Sequence, residues 1–381
     1  MFTDPQLYFV LILFGGALYQ AIPPAWYKAR VAMIMALSAF AIFLISPYAL
    51  FICLFVSGGV AVLSNFVSKL SKHSHFWIVL AMFSIAFFVL RELFQIKDVL
   101  ITLGVSFYFL KSAALLTDSF SKKTPVKTQT IFLMNLFFPV FSAGPLAQWE
   151  SFIEEKITRQ FDWKEIAGGA LRIIIGVFKA SYIVGVVIDP YIAATFSNDV
   201  FSIGAVSPLE TFSFIMLSLL SLYIGFSGYT DMAIGGAHFF GIRAPENFRS
   251  PFLAFNIQEF WKRWHLSLVA ITNRYIFSPI VRNTGNIGLA IIATFVFMGL
   301  WHKLSLTYFL WGLMHAAAMY LVLRIGRVKK KKPKMAKILN SRISKIFGWA
   351  LTMFFVAWMS AFANTSGVEN SITLTRNLFG I

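Results

Sequence analysis

Apolar runs long enough to cross a bilayer follow one another along most of this chain, and that feature limits the fold more than any other. A membrane-spanning helix needs about 20 mostly apolar residues. Runs near that length extend over Leu7–Ile22, Val31–Ile45, Tyr48–Phe66, Phe76–Leu90, Val99–Leu116 and Ile131–Gln148. Others follow at Ile166–Ile188, Phe212–Phe226, Ile287–Trp301, Thr307–Leu323 and Ile346–Ala363. The pattern predicts an all-α polytopic membrane protein with about eleven transmembrane helices. Only 13% of the 381 residues are charged, half the usual share of a soluble domain, while 58% are hydrophobic and the mean hydropathy is +0.73. A soluble enzyme is excluded on that count. So is a nucleic-acid-binding module, despite a net charge of +17.

The excess of 33 Lys and Arg over 16 Asp and Glu fits the bias of cytoplasmic loops for basic residues. Clusters at Lys28/Arg30, Lys69/Lys72 and Lys122/Lys123/Lys127 are each two spans apart, which places these loops in the cytoplasm and the N-terminus outside. The first span has no basic leader and no small-residue cleavage site, so it reads as a retained helix. The run Arg324–Lys337 is the strongest basic block, read as part of a cytoplasmic loop over about 324–345 that touches lipid headgroups. No internal repeat separates parts of the chain, and a single integral-membrane domain over 1–381 is the economical expectation. The one cysteine, Cys53, rules out a disulfide framework and a Cys-based zinc site.

The segment Gly228–Ser278 departs from the apolar pattern. It sets Asp231, His238, Arg243, Glu246, Arg249, Glu259, Lys262, Arg263, His265 and Arg274 among aromatics. Polar backbone at membrane depth is tolerated only where it is buried in protein or lines a wet cavity. Re-entrant or interfacial helices and the functional site are therefore expected here.

Of six histidines, His73 and His75 stand in a polar loop, and His238 follows a Gly-Gly pair. His302 ends the run IGLAIIATFVFMGLWH, where an ionisable group is costly and so points to function, or to a bond across helices. His315, among Ala316–Ala318, suits a helix-packing face. His265 lies in EFWKRWHLSL, where a helix would put Trp261, Trp264, His265 and Leu268 on one face, as in an interfacial aromatic belt. A neutral imidazole can accept a hydroxyl proton and return it to a leaving group. Metal binding by the three histidines lacks any ligand spacing in its support, and no serine elbow, phosphate loop or dinucleotide fingerprint occurs.

Taken together, these segments resemble the membrane-bound O-acyltransferase (MBOAT) superfamily, in particular its bacterial alginate O-acetylase-like branch. The likeness runs from about residue 103 to 318. It is carried by GVSFYFLKSAALLTD (Gly104–Asp118), FFPVFSAGPLAQWESF (Phe137–Phe152), GYTDMAIG (Gly228–Gly235), PENF (Pro245–Phe248), EFWKRWHLSL (Glu259–Leu268), MGLWH (Met298–His302) and WGLMHA (Trp311–Ala316), in family order. The resemblance implies a central tunnel lined by spanning and re-entrant helices, with His302 as the active-site histidine and His265 as the second catalytic histidine. It also implies acyl transfer from a cytoplasmic thioester to hydroxyls of an extracytoplasmic cell-envelope polysaccharide, directly or through an esterase-like partner transferase, in a bacterial cytoplasmic membrane. Acetyl-CoA is the implied donor; a carrier-protein thioester would serve instead if the reaction were D-alanyl transfer to a teichoic-acid-type polymer. No bound cofactor or metal is expected. Trp261, Trp264, Trp301 and Arg263 are candidate oxyanion donors, and Asp231 and His315 fall in matching motifs, Asp231 as a structural anchor bonded to backbone or to an arginine.

The chain departs from the family at three places. Lys303 stands where a Gly usually follows Trp-His, Asn273-Arg274-Tyr275 replaces an Arg-Asp-aromatic stretch, and the interval from His265 to His302 is short. The rival from another class is a secondary transporter with Gly228–Ser278 as its substrate site.

Overall fold

In the computed structural model, which describes residues 5–93, 99–141, 144–152, 157, 162–196 and 206–381, each apolar run of the sequence but one is a helix or a continuous helical stretch. Six helices are long and apolar enough to cross a membrane: Tyr27–Ile45, Pro47–Ser68, Trp163–Thr195, Pro208–His238, Leu306–Lys331 and Arg342–Ala363. Shorter apolar helices cover Leu7–Ala21, His73–Phe87 and Ile287–His302, and the described residues include no strand. The chain is thus an all-α polytopic membrane protein. Phe51, Phe55 and Val62 on Pro47–Ser68 are two-thirds exposed. In a soluble protein that would be a liability, but in lipid it is the ordinary outer face of a span.

The exception is Ile131–Gln148. Its helix, Thr128–Leu136, stops at Phe137 and gives way to a short 3-10 turn, Phe138–Val140. Pro139 explains the break: it has no N–H for the Asn135 carbonyl, and its ring would strike that carbonyl in a continuous helix. Ser142 and Ala143, within the same expected span, lie outside the described residues. The basic block also differs from the expected loop. Helix Leu306–Lys331 runs through Arg324–Lys331, and Pro333 starts a further helix, Pro333–Leu339. Lys and Arg are good helix formers, and cations in the last turn complement the helix dipole.

The residues pack into two units, 1–177 with 228–246, and 178–227 with 247–381. In the first, helix Trp163–Val177 lies antiparallel to the Gly228–His238 stretch, and the contact is made by glycines seven residues apart. A Cβ on Gly169 would stand 2.7 Å from the Gly235 carbonyl oxygen, and one on Gly176 would stand 2.5 Å from that of Gly228. Only glycine allows backbones this close. The close approach brings Arg172, midway between Gly169 and Gly176, opposite Asp231, midway between Gly228 and Gly235. Elsewhere in this unit the Ser64 and Ser119 hydroxyls bond at 2.9 Å, and Asn135 Nδ2 donates to Ser57 Oγ at 3.1 Å.

In the second unit, helices Ile287–His302 and Leu306–Lys331 form a tight hairpin. Asn286 and Ser305 cap their N-termini, accepting from Leu289 N–H at 3.0 Å and Tyr308 N–H at 3.4 Å. Gly299 faces the Tyr308 carbonyl, and a Cβ on Gly312 would stand 2.6 Å from the Phe295 carbonyl oxygen. Since backbone cannot move aside, Gly312→Val should open the hairpin and destabilise the protein by about 2 kcal/mol or more. Thermal unfolding in detergent tests this; a midpoint equal to the wild type would refute the close-packing account.

Candidate functional site

Helix Ile257–Trp261 begins at Asn256, whose side chain accepts from Glu259 N–H at 2.9 Å, and ends after a single turn. Two backbone bonds to the irregular segment Asn247–Arg249 explain the stop. Arg249 N–H donates to the Arg263 carbonyl at 2.9 Å, and Leu266 N–H donates to the Asn247 carbonyl at 3.0 Å. His265, caught between these bonds, adopts the left-handed conformation with φ 47° and ψ 51°. Helix Leu266–Thr272 starts directly after it. The single helix expected across Trp261, Trp264, His265 and Leu268 is therefore broken at His265. A left-handed backbone on a non-glycine residue is strained by roughly 1–3 kcal/mol and survives where surrounding bonds hold it, as they do here.

The break divides the tryptophans. Trp264 joins Phe260 at a ring separation of 5.3 Å, Phe248 at 5.1 Å and Tyr223 at 6.1 Å. Trp261 turns instead to Phe295 at 5.2 Å, His315 at 5.5 Å and Trp311 at 5.9 Å. His265 sits edge-on to Phe226 at 4.9 Å and lies 6.5 Å from Trp301, which in turn is 4.8 Å from the His302 ring. Trp311, 6.1 Å from His302 and 4.2 Å from His315, continues the chain of rings. One aromatic cluster thus contains His265, Trp301, His302, Trp311, His315 and Trp261.

Within the cluster the histidines differ. His265 is only 3% exposed, and its Nδ1 is 3.3 Å from the Asn247 side-chain oxygen. That oxygen also accepts from Ser267 Oγ at 2.6 Å and Ser267 N–H at 3.3 Å. An amide oxygen only accepts, so the His265 proton resides on Nδ1 and Nε2 is left as an acceptor. Burial holds the His265 pKa down at about 3, with the nearby His302 contributing in the same direction. His302 ends its helix with an exposed ring. His315 is buried, its Nδ1 3.0 Å from the Trp311 carbonyl one turn back, which fixes its proton on that nitrogen too.

The depressed His265 pKa has a consequence for stability. An unfolded histidine takes up a proton near pH 6.5, whereas folded His265 does so only near 3. Below about pH 6.5 the unfolded chain binds more protons, so stability falls as pH falls, by up to about 1.4 kcal/mol per unit. Unfolding midpoints at pH 8 and pH 5 should differ more for the wild type than for His265→Gln. Equal pH dependence would contradict the buried, neutral ring.

Two expected oxyanion donors are otherwise engaged. The Arg263 guanidinium donates to the Arg249 carbonyl at 3.2 Å, pinning the turn. Trp264 is enclosed in its own aromatic stack. Asp231, in the first unit, accepts from Arg172 Nη2 at 2.8 Å and Nε at 3.1 Å, while the same guanidinium bonds Glu246 at 2.5 and 2.8 Å. Asp231 is therefore an ion-pair anchor. Lys303 follows His302 in an extended backbone, φ −154°, a conformation open to any residue, so no glycine is required there. Asn273–Phe277, which replaces the family's Arg-Asp stretch, forms a π-helical turn with Arg274 stacked 5.1 Å from the Tyr275 ring.

This helical membrane chain matches a known family. The model of MBOAT, the membrane-bound O-acyltransferase family, matches residues 62–362, and the chain belongs to that family. Among curated proteins it is 27% identical to the peptidoglycan O-acetyltransferase of Helicobacter pylori, over 76% of this chain and 58% of that protein. It is 28% identical to a probable alginate O-acetylase of Pseudomonas syringae, over 70% and 49%, and 29% identical to the teichoic acid D-alanyltransferase of Bacillus subtilis, over 67% of each. The chain spans about half to two-thirds of the length of these relatives.

Proposed function

We propose that this protein transfers an acyl group, in the first instance acetyl, from a cytoplasmic thioester to hydroxyls of an extracytoplasmic cell-envelope polysaccharide or of a partner transferase, in the cytoplasmic membrane of a bacterium. The observation that carries the reading is the pairing of His265 and His302 about Trp301, with His265 locked by Asn247 into the tautomer that leaves Nε2 as an acceptor. Family membership and relatives named for O-acetyl and D-alanyl transfer support it; they give no support to a transporter.

In this account a ring nitrogen of His302 takes the proton of the acceptor hydroxyl as its oxygen attacks the thioester carbonyl. The C–S bond breaks as the tetrahedral intermediate collapses, and the proton passes from His302 to the departing thiolate, leaving an ester and a free thiol. His265 is neutral and cannot donate charge. Its role is to hold Trp301 and the neighbouring imidazole in place. Of the expected donors, the indole of Trp301, whose ring lies beside that of His302, is the candidate to face the oxyanion.

Acetyl-CoA is the proposed donor, and an esterase-like protein outside the membrane the proposed partner. Envelope-containing membrane vesicles supplied with radiolabelled acetyl-CoA should acquire alkali-labile label, and His302→Ala vesicles should not. Label from a D-alanyl carrier protein alone would assign the donor to the teichoic-acid side of the family. Label from neither above the His302→Ala level would refute acyl transfer.

A further inference from the structure

A second feature of the 178–227/247–381 unit plays no part in the acyl-transfer account. A cavity of about 640 Å³ opens beside the hairpin, within the range of about 300–1,000 Å³ that ligand pockets occupy. One wall is a single face of helix Leu306–Lys331, with Met319, Val322, Leu323, Gly326 and Lys330 at helical spacing and Arg327 beside them. Ile291 and Phe295 on helix Ile287–His302 extend the apolar surface opposite. Along the helix the lining passes from carbon at 319–323 to cations at Arg327 and Lys330, and Lys262 adds a third positive charge. None of the three is in an ion pair with a carboxylate among the described residues.

Two further observations point to an occupant. Trp261 lines the cavity, and its indole N–H is buried with no partner among the described residues. Such an orphan donor is costly unless something accepts from it. Gly326 also lines the cavity in the middle of a helix, where glycine costs about 1 kcal/mol relative to alanine. Packing does not explain it, because a Cβ there would meet nothing within 4 Å. The glycine leaves space open toward the cavity between the apolar wall and the cations.

We infer that this cavity binds one anionic glycerophospholipid, with its phosphate at Arg327, Lys330 and Lys262, an ester carbonyl accepting from Trp261, and an acyl chain along the 319–323 wall. A nucleotide or a carrier arm would need polar partners along that wall, which is mostly carbon. The inference does not depend on the reaction. It concerns a lipid resident beside the aromatic cluster, whose binding would stiffen Trp261 against Trp311 and His315.

Native mass spectrometry of the full chain in detergent, titrated with dioleoylphosphatidylglycerol, the phosphatidylcholine of the same chains, and coenzyme A, tests it. The wild type should retain one phosphatidylglycerol at least about tenfold more tightly than phosphatidylcholine, since each basic residue near a lipid phosphate contributes roughly fivefold. Arg327→Glu with Lys330→Glu should remove that preference. Gly326→Leu, which fills the opening without changing charge, should weaken retention of phosphatidylglycerol about tenfold. Equal retention of the two lipids by the wild type, or phosphatidylglycerol binding unchanged in both variants, would overturn the inference. Displacement of the lipid by coenzyme A would do so as well, assigning the cavity to a soluble phosphorylated ligand.

Discussion

His302→Ala is expected to abolish acyl transfer while leaving the protein folded. The ring is exposed at the end of its helix, so its removal creates no cavity and should change stability by no more than about 0.5 kcal/mol. The rate should fall by about 10²–10⁴-fold, the usual worth of a positioned general base. Loss of activity with an unchanged unfolding midpoint separates chemistry from folding; consumption of donor thioester by the purified protein, followed as free thiol, gives the rate. A variant that retains more than about a tenth of the wild-type rate would contradict the role given to this histidine. The hairpin makes the contrast sharper: Gly312→Val and His302→Ala lie in the same two helices, yet the first should lower the unfolding temperature and the second should not.

The other large effect is expected at Asn247, a residue of wholly polar character that is completely buried. Its side-chain oxygen is the shared acceptor for His265 Nδ1 and both Ser267 donors, and its backbone carbonyl accepts from Leu266. Asn247→Ala strands the side-chain donors at a cost of about 1–3 kcal/mol and frees His265 to take the other tautomer or to turn. Activity should fall by an order of magnitude or more, about what misplacement of a supporting group costs. Asn247→Asp separates position from charge. It keeps the acceptor but adds a negative charge beside His265, which raises the pKa of that ring, so the activity that remains should shift its pH optimum. A pH–rate profile unmoved by Asn247→Asp would leave Asn247 a purely structural residue.

The legibility of this molecule in its sequence was uneven, for reasons that can be located. Apolar runs marked the helices because lipid demands internally bonded backbone, and only Ile131–Gln148 failed, where Pro139 removes the N–H a continuous helix would need. His265 was legible as a partner of Trp301 and His302 only through the family resemblance, since it lies 36 and 37 residues before them and no local spacing links them. The helix through EFWKRWHLSL was misread because periodicity is a local property. What breaks that helix is the chain at Asn247–Arg249, bonded to Arg263 and Leu266. Asn247 itself was quoted within PENF but given no role, because a buried asparagine in irregular chain has no periodic signature. Arg172 was missed altogether, although a lone arginine in GGALRIIIGV was a signal: a cation in an apolar helix needs a partner, and Asp231 with Glu246 supplies it.

The reading rests on His265 and His302 acting together on an ester-forming reaction. Cells expressing the wild type, His302→Ala or His265→Ala at equal membrane levels can be compared by the ester-linked acyl groups that mild alkali releases from the envelope and exopolysaccharide. The account predicts an acetyl (or D-alanyl) signal in the wild type that is lost in His302→Ala and strongly reduced in His265→Ala. An ester profile that is the same in all three would contradict it.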